Sequence, residues 1–166
     1  NPCEYAKIPK TAKTQPVAKF YTVEECKKLL DITQGTPLHD MIYITTIYGL
    51  RRSEMMGLKW DAVDFENDTL TIRHTVVMQN KIVAKDKTKN RTSMRTYPLL
   101  DDVKKILLKM KSDQKKNKKL FGNCYQETGY IFAKEDGTQF YPSYPTHELQ
   151  KCIKKNNLSH IRWHDL

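Results

Sequence analysis

The stretch YGLRRSEMMGLKW places two adjacent arginines, Arg51 and Arg52, directly after a glycine and a leucine. A turn bounded by glycine can hold an arginine rigidly while its side chain points into a cleft. The planar guanidinium carries a fork of N–H donors, so it can bind two oxygens of one phosphate. Glu54 lies within one turn of the arginines and can orient one of them. The plain alternative is a surface ion pair on a short helix, and this stretch alone favours that alternative.

A second stretch, KDKTKNRTSMRTYPL, concentrates basic residues in what the pattern predicts to be a hairpin loop. A lysine in such a loop can reach into a groove, where it neutralises a phosphate or gives a proton to a departing alkoxide. Cleaving a phosphodiester without a metal requires such a proton donor. The alternative is a solvated charge run, which is what most such runs are.

The third candidate is His164 in the terminal RWHDL, which could otherwise help to cap a helix. His160 lies four residues earlier, the spacing of two zinc ligands on one helix face. No convincing third or fourth ligand lies nearby in the sequence, so we expect no metal site.

The order of these three features resembles the catalytic domain of the tyrosine recombinases, the phage integrase family, over residues 20–166. That family carries a G-L-R-x-S-E motif followed by L-x-W, a lysine in a hairpin before R-x-hydrophobic-P-L, and a box that begins H-x-L. YGLRRSEMMGLKW, RTYPL and HDL match these in turn. The resemblance implies an α+β fold, the mainly helical DNA breaking-rejoining domain, with a small three-stranded antiparallel sheet at about 69–99.

The resemblance also assigns roles. Arg51 is the first catalytic arginine, Glu54 is the acid that supports it, and His164 is the catalytic histidine. Lys87 is the catalytic lysine, with Lys85 and Lys89 as alternatives. A second arginine and the tyrosine nucleophile are expected beyond Leu166, so the domain is expected to be incomplete at its C-terminus and inactive as given. Tyr125, Tyr130, Tyr141 and Tyr144 are not nominated as the nucleophile.

The implied reaction is site-specific recombination of DNA, with cleavage and rejoining through a 3′-phosphotyrosyl link. Arg51 would stabilise the negative oxygens of the transition state. Lys87 would protonate the leaving 5′-oxygen, and His164 would assist at the phosphate. The reaction conserves bond energy, so no cofactor or metal is implied. The sequence leaves open whether a phage or a conjugative transposon is moved.

The partners implied are double-stranded DNA and other recombinase protomers in a synaptic complex, although this chain alone is expected to be monomeric. Basic residues suited to phosphate contacts are Lys59, Lys89, Arg91 and Arg95. A helix over about 146–156 corresponds in the family to one that approaches the major groove, so Tyr144, His147 and Lys151 are candidates for contact there. The same three residues would also serve as an ordinary polar helix face.

The elements that must position these residues can be read from local signals. Thr22 and Glu25 form a capping box that starts a helix over 23–33, and Gly49 ends a second, buried helix. Ser53 is a candidate cap for a short third helix. TLTIRHTVVM, KIVAKD and MRTYPL are predicted as three strands, with DFEND as a turn before them. An amphipathic helix follows from Asp101.

Composition sets the remaining limits. Lys and Arg number 29 against 19 Asp and Glu, a net charge of +10 that favours a polyanionic partner. Four scattered cysteines without a C-x-x-C pair indicate reduced thiols and a cytoplasmic protein. Residues 1–19, rich in proline, are predicted to be an interdomain linker or arm.

Two other classes of function compete with the recombinase. One is a non-catalytic DNA-binding fragment on the same fold. The other is an RNA-binding or metal-dependent nuclease domain, which would need clustered carboxylates for magnesium. DFEND at 64–68 is the nearest such cluster, and its spacing does not suit a metal site.

Overall fold

The computed structural model describes residues 20–79, 81–86 and 94–166. The predicted linker 1–19 and the predicted loop residues Lys87, Lys89 and Arg91 therefore lie outside the described residues. The helices are α1 (Val23–Thr33), α2 (Pro37–Tyr48), α3 (Arg52–Met56), α4 (Asp101–Phe121) and α5 (Tyr144–Lys155). The strands are β1 (Val63–Asp64), β2 (Thr69–Ile72), β3 (His74–Gln79), β4 (Lys81–Asp86) and β5 (Arg95–Pro98).

The first two helices begin and end where local chemistry dictates. The Thr22 hydroxyl accepts the Glu25 backbone N–H, and the Glu25 carboxylate accepts that of Thr22, which confirms the predicted capping box. Pro37 occupies the first position of α2, where its missing N–H is not needed. Gly49 ends α2 in the left-handed region, at φ 58° and ψ 41°. This stop fixes where the chain turns toward Arg51.

The predicted three-stranded antiparallel sheet is confirmed, but its strands are not all those expected. β2 lies between β1 and β5, with Leu70 opposite both Val63 and Tyr97. β3 and β4 form a separate antiparallel hairpin. The strand predicted over 69–78 breaks at Arg73, after which the chain leaves the first sheet to pack β3 against α3. DFEND forms a turn as predicted, but the turn joins β1 to β2 instead of preceding the sheet, and in it Asp64 Oδ1 accepts two backbone N–H groups.

Gly57 allows the close approach of α3 to β3. A Cβ atom at this position would lie 2.5 Å from the carbonyl oxygen of His74 and 2.8 Å from Cα of Thr75. Both are backbone atoms of β3, which cannot rotate away. The glycine therefore sets the distance between the short helix after Arg51 and the hairpin.

One hydrophobic core unites the helices with the sheet. Its fully buried members come from nearly every element, among them Leu29, Met41, Ile44, Met55, Leu70, Ile131, Phe132 and Leu149. Residues 130–132 carry this core between α4 and α5, as the apolar YIFA indicates. Among the described residues, no helix is both long and apolar enough to cross a bilayer.

Gly57→Ala and Gly49→Ala are expected to destabilise the protein for different reasons. Gly57→Ala overpacks the α3–β3 contact at an ordinary φ, and because the clash is with backbone it should lower the free energy of unfolding by about 2–3 kcal/mol. Gly49→Ala meets no atom within 4 Å and strains only the φ of 58°, so we expect a loss of about 1 kcal/mol. Urea unfolding of both variants measures the difference, and equal losses would contradict a steric role for Gly57.

Candidate active site

Arg51 is the residue at which α3 begins, and Glu54 holds it through two hydrogen bonds. The Arg51 backbone N–H donates to Glu54 Oε2 at 3.0 Å, and Arg51 Nη1 donates to Glu54 Oε1 at 3.2 Å. The Glu54 side chain is fully buried, whereas that of Arg51 is 69% exposed. The buried carboxylate thus anchors an arginine whose guanidinium faces solvent. The prediction that Ser53 caps α3 is wrong. Ser53 lies inside the helix, and the Glu54 side chain accepts the backbone N–H of the N-cap residue Arg51.

Arg95 joins this pair, which the sequence did not predict. Its Nη2 donates to Glu54 Oε2 at 2.6 Å, and its guanidinium carbon lies 5.8 Å from the centre of the Tyr97 ring. A buried carboxylate loses its hydration, and charged donors must replace it. Arg51 and Arg95 supply two such donors, so the structure brings three of the predicted site residues into direct contact.

The other end of the site is a single 3₁₀ turn, Trp163–Asp165, that carries His164. Trp163 is buried in the core, and His164 is exposed. Asp165 accepts two hydrogen bonds from the Arg162 guanidinium, from Nε at 2.7 Å and from Nη2 at 2.9 Å. These bonds and the nearby positive charge lower the pKa of the Asp165 carboxyl. The result is a tight turn that directs His164 away from the core.

The turn that carries Arg51 and the turn that carries His164 both contact the same face of α5. Arg52 Nη1 donates to Thr146 Oγ1 at 2.9 Å, and Gln150 Nε2 donates to the Ile161 carbonyl at 2.8 Å. Thr146 and Gln150 are four residues apart, so they lie on one side of the helix, about 6 Å apart along its axis. α5 therefore serves as the frame that relates the Arg51 turn to the His164 turn.

The residues of α5 that are predicted to contact DNA differ in their exposure to solvent. His147 and Lys151 are exposed, and Lys151 pairs with Glu148 at 2.6 Å. Tyr144 is half-buried and stacks on Phe140 with ring centroids 4.4 Å apart. Away from this helix, Lys59 Nζ lies 5.0 Å from the centre of the Tyr130 ring. None of these three contacts involves Glu54.

The predicted lysine lies outside the described residues, but the structure shows which elements flank it. β4 ends at Asp86 and β5 begins at Arg95, so Lys87 belongs to the segment between them. Lys85, the alternative, lies on β4 opposite Thr75. The predicted hairpin loop thus joins the two sheets, and Arg95 stands directly beyond it.

Several tyrosines serve in the packing. The Tyr48 hydroxyl donates to the Pro98 carbonyl and accepts the Leu100 N–H, and the Tyr130 hydroxyl bonds to His74 Nε2 at 3.1 Å. Burial raises the pKa of Tyr125 and Tyr144, the direction opposite to that which favours a phenolate. Tyr48 and Tyr130 thus hold neighbouring elements together through their hydroxyl groups.

Asp165→Asn tests how the His164 turn is held. The folded pKa of Asp165 lies below its unfolded value, so its carboxylate stabilises the fold fully above about pH 4, the ordinary pKa of aspartate. Below that pH the unfolded chain takes up the proton first, and the stabilisation falls. The wild type should therefore melt at a higher temperature than Asp165→Asn. This difference should be constant near neutral pH and become smaller in acid. Asp31→Asn, at an exposed position on α1, is the control, and a difference that persists at about pH 2 would contradict this role.

Known sequences include relatives of this chain. The profile of the phage integrase family matches residues 19–166. A tyrosine recombinase XerC-like protein of Caldanaerobacter subterraneus subsp. tengcongensis is 27% identical over 180 residues, covering 99% of this chain and 46% of that protein. Tyrosine recombinase XerA of Pyrococcus furiosus is 29% identical over 166 residues, covering 90% and 54%. The chain spans about half the length of the curated relatives it matches.

Solved structures share the fold. The Tn1549 transposon integrase in complex with a circular intermediate DNA has a TM-score of 0.73 and 19% identity, covering 93% of this chain and 52% of that one. A lambda integrase dimer bound to a COC′ core site has a TM-score of 0.61 and 14% identity, covering 95% and 52%. The mainly helical α+β fold with a small antiparallel sheet is thereby confirmed. Because the family profile matches residues 19–166, the chain belongs to the phage integrase family, the tyrosine recombinases.

Proposed function

We propose that the protein is a site-specific DNA recombinase, the integrase of a phage or other mobile element, and that residues 20–166 belong to its catalytic domain. The observation that carries this proposal is the fully buried Glu54 that holds the exposed Arg51 at the start of α3. A buried anion that presents a solvent-facing guanidinium is suited to binding a phosphate. The family to which the chain belongs supports the assignment.

In this mechanism Arg51 binds the non-bridging oxygens of the scissile phosphate. As a tyrosine hydroxyl attacks, negative charge grows on these oxygens, and a preorganised guanidinium stabilises it at little reorganisation cost. His164, exposed on its turn, hydrogen-bonds the same phosphate or assists proton transfer from the tyrosine. Lys87 protonates the leaving 5′-oxygen. We assign the nucleophile to none of the tyrosines described above.

Duplex DNA is the proposed partner, together with further protomers in a synaptic complex. The net charge of +10 favours a polyanion. Lys59, Lys89 and Arg91 are proposed as phosphate contacts, and Tyr144, His147 and Lys151 on α5 are proposed to face the groove. The solved structures that share the fold include integrases bound to DNA, which supports DNA as the partner. A cytoplasmic location follows from action on DNA.

The test is to trap the covalent intermediate with the complete protein that contains these residues. A nicked suicide duplex carrying the target site loses the short strand after cleavage, so rejoining is prevented. We expect a protein–DNA adduct that forms in EDTA and disappears on protease treatment. Cleavage that requires Mg²⁺ and leaves no protein–DNA adduct would indicate a metal-dependent nuclease. Tight binding without any adduct would indicate a DNA-binding protein without chemistry.

The salt dependence of DNA binding tests the proposed phosphate contacts on the 166-residue chain itself. Three or so neutralised phosphates give a slope of log K against log salt of about −3, or roughly a fiftyfold loss between 50 and 200 mM salt. Lys59→Ala should reduce the slope by about 1. Lys116→Ala, which removes an exposed lysine paired with Asp113 on α4, is the matched control. A slope near zero in the wild type would contradict binding through phosphates.

A further inference from the structure

Arg95 joins two parts of the molecule that are far apart in the sequence. It is the first residue of β5, directly beyond the segment that carries Lys87. Its Nη2 donates to Glu54 Oε2 at 2.6 Å, and the same oxygen accepts the Arg51 backbone N–H at 3.0 Å. The other oxygen, Oε1, accepts Arg51 Nη1 at 3.2 Å. Three donors from the two arginines therefore converge on one carboxylate.

The two arginines do not compensate the buried charge equally. The Arg51 side chain is 69% exposed and its bond to Glu54 is the longer one, so water screens much of its attraction. Arg95 is 39% exposed, and its contact is 0.6 Å shorter, 2.6 against 3.2 Å. Of these two guanidinium groups, that of Arg95 therefore interacts more strongly with the buried Glu54 carboxylate.

We propose that Arg95 is a positioning residue, which holds the Glu54 carboxylate in place so that Glu54 fixes the guanidinium of Arg51. The effect of this positioning on catalysis rests on the proposed recombinase function, whereas the ordering of Arg51 by Arg95 is independent of that function. Because Arg95 also begins β5, the bond ties the start of this strand to the turn that carries Arg51.

A direct phosphate contact, the role that the basic pattern suggested for Arg95, makes opposite predictions. A phosphate contact contributes to affinity and to the salt slope, and its loss should act independently of Glu54. A positioning residue changes the reaction rate rather than affinity, and its effect passes through Glu54. Two measurements therefore distinguish the roles. One is whether the loss of Arg95 changes the reaction rate or the salt slope, and the other is whether its effect is independent of a substitution at Glu54.

The first experiment measures the order of Arg51 in the 166-residue chain by ¹⁵N relaxation of its Nε–H group. Arg95→Ala should lower the Arg51 order parameter, and Arg95→Lys should lower it less. Arg73→Ala is the matched control, because Arg73 is an exposed arginine whose guanidinium bonds to the Asp61 carbonyl at 2.6 Å. An order parameter of Arg51 that is unchanged in both Arg95 variants would overturn the proposal. If Arg95→Ala does not fold, Arg95→Lys supplies the measurement.

The second experiment measures cleavage and binding in the complete protein. Arg95→Ala should slow cleavage by roughly ten- to a hundredfold with an unchanged salt slope. In a Glu54→Gln background the same substitution should add less than about a threefold loss, because the route through Glu54 is already broken. A salt slope reduced by about 1, with effects that multiply, would overturn the proposal in favour of a phosphate contact. If the wild type cleaves no DNA, the proposed function fails, and the Arg51 relaxation data still decide the role of Arg95.

Discussion

Arg51→Ala is expected to slow DNA strand cleavage by about 10²–10³-fold while changing DNA affinity by less than about threefold. The guanidinium is preorganised, since its backbone and side chain both bond to the buried Glu54. A preorganised donor acts mainly on the charge that develops in the transition state, so its loss appears in the rate of the chemical step. The affinity for duplex DNA depends on many phosphate contacts, of which this is one. Single-turnover cleavage of a suicide substrate, with affinity measured in parallel, separates the two effects.

Two variants sharpen this test. Arg51→Lys keeps the charge but loses the planar fork, so it should recover only part of the rate. Arg52→Ala removes the neighbouring arginine, whose Nη1 bonds to Thr146 on α5 rather than to Glu54. We expect it to lower the melting temperature and to slow cleavage less than Arg51→Ala does. A larger loss of cleavage in Arg52→Ala would show that the reactive arginine is Arg52.

Much of the framework could be predicted because its causes are local. The start of α1 depends on Thr22 and Glu25, three residues apart, and the end of α2 depends on Gly49 itself. The sheet is different, because pairing depends on contacts between distant segments. The residues from Thr69 to Met78 form a continuous run with high strand propensity, and no local sequence signal predicts that the strand breaks at Arg73. The division follows from the packing of β3 on α3, which depends on the absence of a side chain at Gly57.

The candidate site follows the same rule. Arg51, Glu54 and His164 were assigned through motifs whose residues lie close together in the sequence. The bond between Arg95 and Glu54 joins positions 41 residues apart, and a basic run next to a strand does not reveal which arginine turns inward. The sequence also carries a second signal of the same kind. Arg162-x-x-Asp165 repeats the spacing of Arg51-x-x-Glu54, and in both turns the acid accepts the backbone N–H and the guanidinium of the arginine.

That repetition indicates a common solution to one physical problem. A side chain that must meet a phosphate has to be exposed, and an exposed side chain on a short turn is poorly ordered unless something buried holds the turn. In both turns a carboxylate with little or no exposure, at 0% for Glu54 and 9% for Asp165, provides that anchor. At the first turn the anchored arginine is itself the proposed phosphate ligand. At the second, the anchored turn presents His164.

Glu54→Ala is therefore expected to combine a loss of stability with a loss of activity. It removes the bonds to Arg51 and Arg95, and hydrogen bonds to charged groups contribute about 1.5–3 kcal/mol. Both arginines are partly exposed and can be rehydrated, so we expect a loss of about 2–3 kcal/mol, below the range for a pair that leaves a fully buried charge. For a domain of this size that corresponds to a melting temperature lower by roughly 5–10 °C.

The comparison between Glu54→Gln and Asp113→Ala isolates the part played by charge and burial. Glu54→Gln keeps the shape and one acceptor but removes the charge that two guanidinium groups share, so cleavage should fall even at temperatures where the variant is fully folded. Asp113→Ala removes a half-exposed carboxylate that pairs with Lys116, and should cost less than about 1 kcal/mol. Thermal unfolding and cleavage measured on the same samples distinguish the two contributions. If Glu54→Gln cleaves DNA at the wild-type rate, the carboxylate acts only in folding, and Arg51 must be held by other contacts.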